Sequence, residues 1–581
     1  MASDDHHFRP RPGPSRDRGS GSAGRGKRLA AQVRRASARA GYTQLARKPR
    51  KGAGSRARGR RALARVRLRA DARRVVVKAR VVRHKGVRFR AAPLSRHITY
   101  LEREGVTQDG RDASMFDAGS DEADRDAFAE RCEDDRHHFR FIVSPEDAAQ
   151  MDDLRAFTRE LMRDMARDLD TDLDWVALDH WNTDNPHIHV LVRGVTDTGE
   201  DLVIDKGYIS FGLRARAEER VTLELGPRSE REIRTALERE VDAESWTSLD
   251  RQLQRLADEA GGLIDLRPGG QLDGERQRLL VGRAARLEHM GLAVNEGGGL
   301  WSIEPGAEAT LRDLSIRTDI IKTMHRAMSR DGGRFDLSAL SLHDEAPSDP
   351  IIGRLVERGL HDELTGSAYA VIDGADGHTH HLRFEDIDMT GDALPGAIVE
   401  VRSWDDLKGR TRLSLATRSD LALDKQVGAS GATWLDRQLL SREPAASGSG
   451  FGLDVRAAME ARGAHLESLG LARRQGQRLL FASDLIETLR ARELSDMAQA
   501  IAVRTGLEHK PAGVGEHVSG IYRERVTLSS GRFAMIDEGI SFQLVPWRPA
   551  LEKHLGTQIT GTLMPGGGVD WSLGRSRGLG L

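Results

Sequence analysis

The amino-acid sequence predicts an α+β protein with an antiparallel sheet in its N-terminal half and a duplicated C-terminal half. Three observations in the 581 residues support this prediction. Short apolar strands alternate with amphipathic helical patterns between residues 73 and 193. Several motifs recur in the same order after residue 240. The first 70 residues have few large apolar side chains and cannot form a core.

Charge is distributed unevenly along the chain. Residues 1–100 contain 30 Lys and Arg but only 4 Asp and Glu, a net charge of +26, and the remaining residues carry −26. A basic segment attached to an acidic body favours binding to a polyanion, although a solvated tail would have the same composition. We therefore expect residues 1–70 to form a disordered basic arm that contacts phosphates.

Cysteine content and hydropathy exclude several classes of protein. The single cysteine, Cys132, excludes an intrachain disulfide framework and a multi-cysteine zinc module, and suits a reducing cytosol. No apolar run reaches the roughly 18–20 residues that a membrane span needs. The N-terminal residues also lack the apolar core of a signal peptide. We expect a cytosolic protein without membrane insertion.

Residues 71–225 are predicted to form one domain with the element order β-α-β-α-β-β. The predicted strands cover 73–82, 137–143, 173–180 and 186–193, and a short helix covers 93–105. Residues 106–135 are acidic and expected to be irregular. Ser144 followed by Pro145 is typical of a helix N-cap and first turn, so the second helix is expected to run from there to about residue 168.

The C-terminal half contains a sequence duplication. The motif Leu-Asp-Arg-Gln-Leu occurs at 249–253 and 435–439, a Leu-Glu-x-x-Gly-Leu-Ala motif at 287–293 and 466–472, and an aromatic-Ala-x-Ile-Asp motif at 369–373 and 533–537. We expect winged-helix-like helical modules at 226–333 and 429–510. Small β-rich modules, each a barrel or twisted sheet, are expected at 334–428 and 511–581. Binding of DNA and binding of protein by these modules are both open.

Three histidines occur within ten residues. On a strand, His187 and His189 point to the same face. The turn-forming residues 182–186 reverse the chain after His180, so a hairpin would bring all three imidazoles together. A lone His-x-His is more often structural, but the third histidine predicts a metal site with an open position. Mn²⁺, Zn²⁺, Co²⁺ or Ni²⁺ suits three imidazoles, and Mg²⁺ fits if substrate oxygens complete the shell.

The run from His180 to His189 resembles a motif of the His-hydrophobic-His (HUH) nucleases. The family form in the large mobilisation relaxases of plasmid conjugation is His-x-Asp-Thr-x-x-Pro-His-x-His, and here Asn182 stands in place of the aspartate. A carboxylate at that position would orient a ligand histidine. Asp179 and Asp184 are the alternatives that would take over this role.

The resemblance also implies a nucleophilic tyrosine. Of the five tyrosines, Tyr100 lies between the first two predicted strands, where the family's N-terminal motif is expected, and Tyr208 is its rival. Arg96 and Arg103 are candidates for contacting DNA and favouring the phenolate. Ser144 matches a serine of the family that contacts DNA near the nick, although a plain helix cap explains it equally well.

The function implied by the resemblance is that of a relaxase with the HUH palm fold. Such an enzyme uses a divalent metal, Mg²⁺ or Mn²⁺ above all, and nicks single-stranded DNA at a plasmid origin of transfer through a 5′-phosphotyrosine. Its partners would be single-stranded and duplex origin DNA, relaxosome accessory proteins and a type IV coupling protein. It would act in the bacterial cytoplasm and travel to the recipient with the DNA. The alternatives are a replication-initiator nuclease of the same fold and a non-catalytic DNA-binding regulator with a structural metal.

Overall fold

The computed structural model has a mixed α+β fold with several antiparallel sheets. It describes residues 58, 59, 62, 71–84, 94, 98, 101, 102, 113–181, 185–269, 273–330, 337–343, 345–476, 478–565 and 568–572. The chain divides into two compact units, residues 1–318 and 319–581. Among the helices in the described ranges, none is sufficiently long and apolar to cross a membrane.

The first unit begins with a four-stranded sheet in the order β1-β2-β4-β3, in which every neighbouring pair is antiparallel. Its strands are β1 (Val75–Arg83), β2 (His137–Pro145), β3 (Trp175–His180) and β4 (His187–Arg193). The helices that accompany it are α1 (Arg125–Arg131), α2 (Leu154–Leu169) and α3 (Leu213–Leu225). The predicted strand order along the chain and the antiparallel pairing are confirmed. Of the predicted helix at 93–105, only four residues are described, and all four are helical.

Helix α2 covers one face of this sheet because its apolar residues recur at helical spacing. Phe157, Leu161 and Met165 are almost fully buried in one cluster with Phe141 and Val190 of the central strands. The neighbouring stripe of α2 forms ion pairs with α3. Arg220 pairs with Glu160 and Asp164, and Arg216 pairs with Asp168.

The predicted start of the second helix is wrong. Ser144 and Pro145 are the last residues of β2, where Ser144 lies opposite Val76 of β1. The side chain of Asp153 caps α2 instead, since it accepts hydrogen bonds from the first backbone N–H groups of that helix. Proline has no backbone N–H to donate to a neighbouring strand, but the sheet does not need that hydrogen bond at the end of a strand. Pairing with β1 therefore decides the conformation of Ser144 and Pro145, despite their resemblance to a helix start.

Two further expectations for the N-terminal region need correction. The acidic segment 106–135 contains helix α1, which is capped by the carboxylate of Asp124. Most of residues 1–70 lie outside the described residues, but Arg58 is not part of a free arm. Its backbone bonds to Val203 and Asp205, and its guanidinium donates to the carbonyls of Leu169 and Asp170.

A helical module completes the first unit. It consists of α4 (Glu230–Val241), α5 (Ser248–Glu259), β5 (Ile264–Asp265), α6 (Gly274–His289), β6 (Ala293–Gly297) and β7 (Leu300–Ile303), and the three strands form a sheet in the order β5-β7-β6. Residues 297–299 are all glycines with positive φ, which the tight tip of the β6–β7 hairpin requires. Three helices and a β-hairpin therefore occupy the first part of the range, 226–333, where the first winged-helix-like module is predicted. The helix that follows, α7 (Ala307–Arg330), packs its first turns into this module through Ala307 and Leu311.

The second unit contains two six-stranded sheets with the same topology. The first consists of β8 (Leu340–Leu342), β9 (Ile352–Asp362), β10 (Ser367–Gly374), β11 (Thr379–Phe384), β12 (Ile398–Asp405) and β13 (Thr411–Ser419), in the order β13-β12-β9-β10-β11-β8. Only its edge pair β8–β11 is parallel. Val399, Val401 and Leu413 share one core with Leu355 and Phe384, so the sheet curls around its own apolar face.

A second helical module lies between the sheets. It consists of α8 (Leu423–Val427), α9 (Trp434–Leu440), α10 (Phe451–Ser468), β14 (Ala472–Gln475), β15 (Arg478–Phe481) and α11 (Leu485–Thr505). The last sheet contains β16 (Glu508–His509), β17 (His517–Leu528), β18 (Gly531–Asp537), β19 (Ser541–Pro546), β20 (Gln558–Leu563) and β21 (Val569–Trp571). Its order, β21-β20-β17-β18-β19-β16, repeats that of the first sheet strand for strand, including the parallel edge pair β16–β19. The duplication thus extends from the motifs to the topology.

Candidate metal centre

The β3–β4 hairpin brings the three histidines together. His180 ends β3 and lies directly opposite His187, the first residue of β4. His189 follows on the same face of β4, and its Nε2 is 3.1 Å from Nε2 of His187. The ring centroid of His180 is 5.2 Å from that of His187 and 4.6 Å from that of His189. One nitrogen from each ring lies within 4.8 Å of the other two, and all three side chains are buried.

Backbone carbonyls set the orientation of two of these rings. Nδ1 of His187 is 2.8 Å from the carbonyl oxygen of Asn185, and Nε2 of His180 is 3.1 Å from that of Leu101. A carbonyl only accepts hydrogen bonds, so each of these nitrogens carries its ring's proton. The nitrogens with a lone pair are therefore Nδ1 of His180 and Nε2 of His187. Ligand histidines are held in this way by partners outside the coordination shell.

The spacing fits the demands of a metal ion. Metal–nitrogen bonds of about 2.0–2.1 Å place two imidazole nitrogens about 3.0–3.4 Å apart on one ion, and the His187–His189 distance lies in this range. The cluster therefore could hold a metal ion. Three protein ligands leave at least one position for a substrate or water oxygen. Imidazoles alone do not select one metal among the borderline divalent ions.

Asp179 binds partners other than the three histidines. Its Oδ1 accepts from Nε of Arg155 at 2.9 Å, and its Oδ2 accepts from Nε1 of Trp181 at 2.8 Å. The buried carboxylate thus ties β3 to the first turn of α2 and fixes the residue after His180. The other two candidates for orienting a ligand histidine, Asn182 and Asp184, lie outside the described residues.

Ser144 lies next to the entry of β4. Its side chain is buried, and its hydroxyl donates to the carbonyl of Pro186, 3.4 Å away and one residue before His187. Tyr100, Arg96 and Arg103 lie outside the described residues. Leu101, which follows Tyr100 in the chain, is buried and provides the carbonyl that binds His180.

Tyr208 lies in a different part of the first unit. It is fully buried, and its hydroxyl donates to Asp168 at 2.9 Å while Arg216 donates to both oxygens of the same carboxylate. Burial and the adjacent Asp168 charge raise the pKa of Tyr208 well above its usual value. Asp168 is in the last turn of α2, whereas Arg155, bound to Asp179, is in the first. At about 1.5 Å per residue, roughly 20 Å of helix separates them.

Sequence reasoning missed the residues that hold the three histidines in place. The carbonyl groups of Asn185 and Leu101 have no signature in a sequence, because every residue has one. Arg155 lies at a position of the amphipathic helix pattern where an ordinary polar residue is expected. Trp181 was the only available signal, since it lies inside the histidine motif and a buried indole N–H needs an acceptor.

The comparisons with known proteins concern the C-terminal half. A family model described as "Protein of unknown function (DUF3363)" matches residues 280–412 and 404–580, which together exceed half of the chain. Neither the curated proteins nor the solved structures gave a match. The matched region begins within α6 of the first helical module, includes the duplicated modules from there onwards, and excludes the three histidines of the β3–β4 hairpin. The chain therefore belongs to the DUF3363 family, whose function is unknown.

Proposed function

We propose that this protein is a metal-dependent DNA-nicking strand transferase of the conjugative relaxase type. The observation that carries the proposal is the hydrogen bond from His180 to the carbonyl of Leu101. It connects a cluster of three buried histidines to the residue that follows Tyr100, the proposed nucleophile. The order β1-β2-β4-β3, with His187 and His189 on an inner strand, also supports an HUH-type palm.

The reaction is a transesterification. The phenol oxygen of Tyr100 attacks the scissile phosphorus, the new tyrosine–phosphorus bond forms, and the bond from phosphorus to the 3′-oxygen breaks. The 3′-oxygen leaves with a proton as a hydroxyl, and the 5′ end of the DNA stays attached to Tyr100. Because the total number of phosphoester bonds is unchanged, the reverse reaction rejoins the strand.

The histidines contribute a fixed position for positive charge. A divalent ion on His180, His187 and His189 would stabilise the negative charge that grows on the phosphate oxygens. Carbonyl groups hold two of these rings, so the site needs little rearrangement when a phosphate enters. Ser144, which the resemblance implies would contact DNA near the nick, supports the start of β4 through its buried hydroxyl, which donates to the carbonyl of Pro186. Arg96 and Arg103 would bind phosphates and favour the phenolate.

The setting of the reaction is part of the same proposal. The net charge of +26 on residues 1–100 supports binding to single-stranded and duplex origin DNA. Relaxosome accessory proteins and a type IV coupling protein are the proposed protein partners, in a bacterial cytoplasm. These partners are inferred from the resemblance to mobilisation relaxases. Mg²⁺ or Mn²⁺ is the proposed ion.

The nucleophile is tested by covalent trapping. The protein is incubated with single-stranded origin oligonucleotides and Mn²⁺, and the modified peptide is mapped by mass spectrometry. We expect a 5′-linked adduct on Tyr100 that Tyr100→Phe abolishes and Tyr208→Phe leaves unchanged. An adduct on another residue would overturn the role of Tyr100. Oligonucleotide binding without any adduct or nick would favour the non-catalytic regulator instead.

The metal is tested separately from the nucleophile. We expect His187→Ala to weaken Mn²⁺ binding, measured by calorimetry, by at least about tenfold, the usual effect of disturbing a metal site. His289→Ala, which alters an exposed histidine of α6, is the matched control. Equal Mn²⁺ affinity in the two variants, or nicking that survives a chelator, would remove the metal from the proposal.

A further inference from the structure

The β12–β13 hairpin extends beyond the sheet that it belongs to. Strand β12 pairs with β9 only over Ile398–Glu400, and its last backbone hydrogen bond outside the hairpin is from the N–H of Val401 to the carbonyl of Ile351. From Arg402 onwards, β12 pairs with β13 alone. The residues at its tip are solvent-exposed. A two-stranded ribbon of about ten residues thus projects from the first β-rich module.

One face of this ribbon combines an aromatic ring with arginines. Arg402 lies opposite Ser414, and Trp404 lies opposite Arg412. Because alternate residues share a face, Arg402, Trp404, Arg412 and Arg418 point the same way. Trp404 is 43% exposed, whereas the other seven tryptophans are buried or half-buried. This face therefore presents an exposed indole together with arginine side chains.

Carboxylates hold the arginines in place. Glu400 accepts from both Arg402 and Arg418, and Asp406 accepts from Nη2 of Arg412 at 3.0 Å. Arg412 also pairs with Glu385 and is 20% exposed, whereas Arg402 is 55% exposed. Each guanidinium has five N–H donors, so these pairs do not use all of them. Residues 398–419 contain five Lys and Arg and three Asp and Glu, a net charge of +2, in a body that is otherwise acidic. Positive charge is therefore concentrated on the ribbon.

The second copy of the module provides a comparison within the same chain. There the equivalent strands β20 and β21 pair over only three residues each, from Gly561 to Leu563 and from Val569 to Trp571. Residues 558–571 contain no Lys or Arg. The long basic ribbon is thus a property of the first copy and is not needed to form the sheet. A surface that one copy has and the other lacks indicates a function in binding.

We propose that the β12–β13 ribbon binds single-stranded nucleic acid. A base stacks on the exposed indole of Trp404, and the neighbouring phosphates bind Arg402, Arg412 and Lys408 at the tip. Stacking on an aromatic side chain requires a base that is not already stacked in a duplex, which selects single strands. This binding site is independent of the three histidines and of the nicking reaction.

Photo-crosslinking of the full-length protein tests this proposal. A thymidine oligonucleotide that contains 5-bromodeoxyuridine is irradiated with the protein, and crosslinked tryptic peptides are identified by mass spectrometry. Cleavage after Arg402 and Lys408 yields a peptide of residues 403–408 that contains Trp404. We expect this peptide to be crosslinked by the single strand and not by the same sequence in a duplex. Its absence among the crosslinked peptides would overturn the proposal.

A matched pair of variants tests the role of charge. Arg412→Ala leaves the 403–408 peptide intact, and we expect its crosslinking to require about tenfold more oligonucleotide, the effect of losing one charge-assisted contact. Arg523→Ala removes an arginine that pairs with Asp537 and is 53% exposed elsewhere in the second unit. An equal effect of both variants would contradict a specific site. Crosslinking that persists in His187→Ala separates this proposal from the nicking function.

Discussion

Arg283 and Asp250 form an ion pair in which both side chains are completely buried. Nε and Nη2 of Arg283 donate to the two carboxylate oxygens at 2.7 and 2.9 Å. The remaining donors bind the carbonyls of Val241, Ala243 and Ser245. Every charge and donor of this guanidinium is therefore satisfied, and α6 is tied to the segment between α4 and α5.

The second helical module repeats this arrangement. Arg462 pairs with Asp436 through the same atoms, and it donates to the carbonyls of Val427, Ala429 and Gly431. Both aspartates are also the third residue of a capping box, so each one fixes a helix start and an arginine at once. The duplication has kept a buried ion pair as well as an apolar core.

Removing one partner of this ion pair leaves a buried charge without compensation. We expect Arg283→Met to lower the free energy of unfolding of the first helical module by about 3–5 kcal/mol. Urea titration followed by hydrogen exchange in the α6 peptides measures this loss. The control, Arg312→Met, breaks a half-exposed pair with Glu308, and it should cost less than about 1 kcal/mol. Equal effects of the two substitutions would show that the buried pair is not structural.

Tyr208 is predicted to stabilise the fold. Tyr208→Phe removes one hydrogen bond to Asp168, but that carboxylate keeps Arg216 as a partner. We therefore expect the free energy of unfolding to fall by about 1–2 kcal/mol, as for a bond to a charged group. DNA nicking, assayed with origin oligonucleotides under conditions where the variant is folded, should not change. A nicking rate that falls together with adduct formation would instead make Tyr208 the nucleophile.

The parts of the fold that sequence reasoning predicted are those that depend on local patterns. The turn residues between His180 and His187 predict the hairpin, and strand alternation places His187 and His189 on one face. The parts it missed depend on distant partners. Ser144 has a strong capping signal, but its pairing with Val76, nearly seventy residues earlier, decides its conformation. Pairing across such distances has no local signature.

The sequence pattern of a single helix also gives no sign that one of its arginines is buried. Arg283 lies in a helix rich in arginine, and its charge predicts an exposed position. The repeat offered a signal, because Arg283 and Arg462 each lie four residues before the leucine that begins the duplicated Leu-Glu-x-x-Gly-Leu-Ala motif. A charged residue kept at the same position in both copies is more informative than its charge alone. The aspartates of the duplicated Leu-Asp-Arg-Gln-Leu motif were the corresponding partners.

Cys132 is expected to be unreactive in the folded protein. Its side chain is buried, and desolvation, helped by the charge of Asp135, raises the pKa of the thiol to about 12. Only the thiolate reacts with alkylating agents, so at pH 8 the reactive fraction is about a thousandfold below that of an ordinary cysteine. Timed iodoacetamide labelling with and without urea checks this. Native labelling at the rate of the urea-unfolded chain would contradict the buried position.

His138 makes the stability of the first sheet depend on pH. The ring is buried in β2, with Nδ1 2.8 Å from Nε2 of His84 and with Nε2 accepting from Nε of Arg140 at 3.0 Å. Desolvation, followed by the charges of Arg140, His84 and His137, lowers the pKa of His138 to about 2. In the unfolded chain its pKa is about 6.5. Between these values the unfolded chain binds a proton that the folded chain does not bind.

The sign of the pH effect follows from this difference in proton binding. Stability from a neutral His138 is complete above pH 6.5 and decreases as the pH falls towards 2. We expect a loss of about 2 kcal/mol between pH 7 and pH 5.

His138→Phe should be less stable than the wild type at pH 7, but it should lose less stability on acidification. Urea titration monitored by hydrogen exchange in β2 peptides at both pH values measures the difference, and His289→Phe, at an exposed position, controls for the loss of a histidine. Since a protonated imidazole has no acceptor nitrogen, it would lose its bond from Arg140 and lie next to that cation. If the wild type and His138→Phe lose the same free energy of unfolding between pH 7 and pH 5, the titrating group lies elsewhere in the sheet.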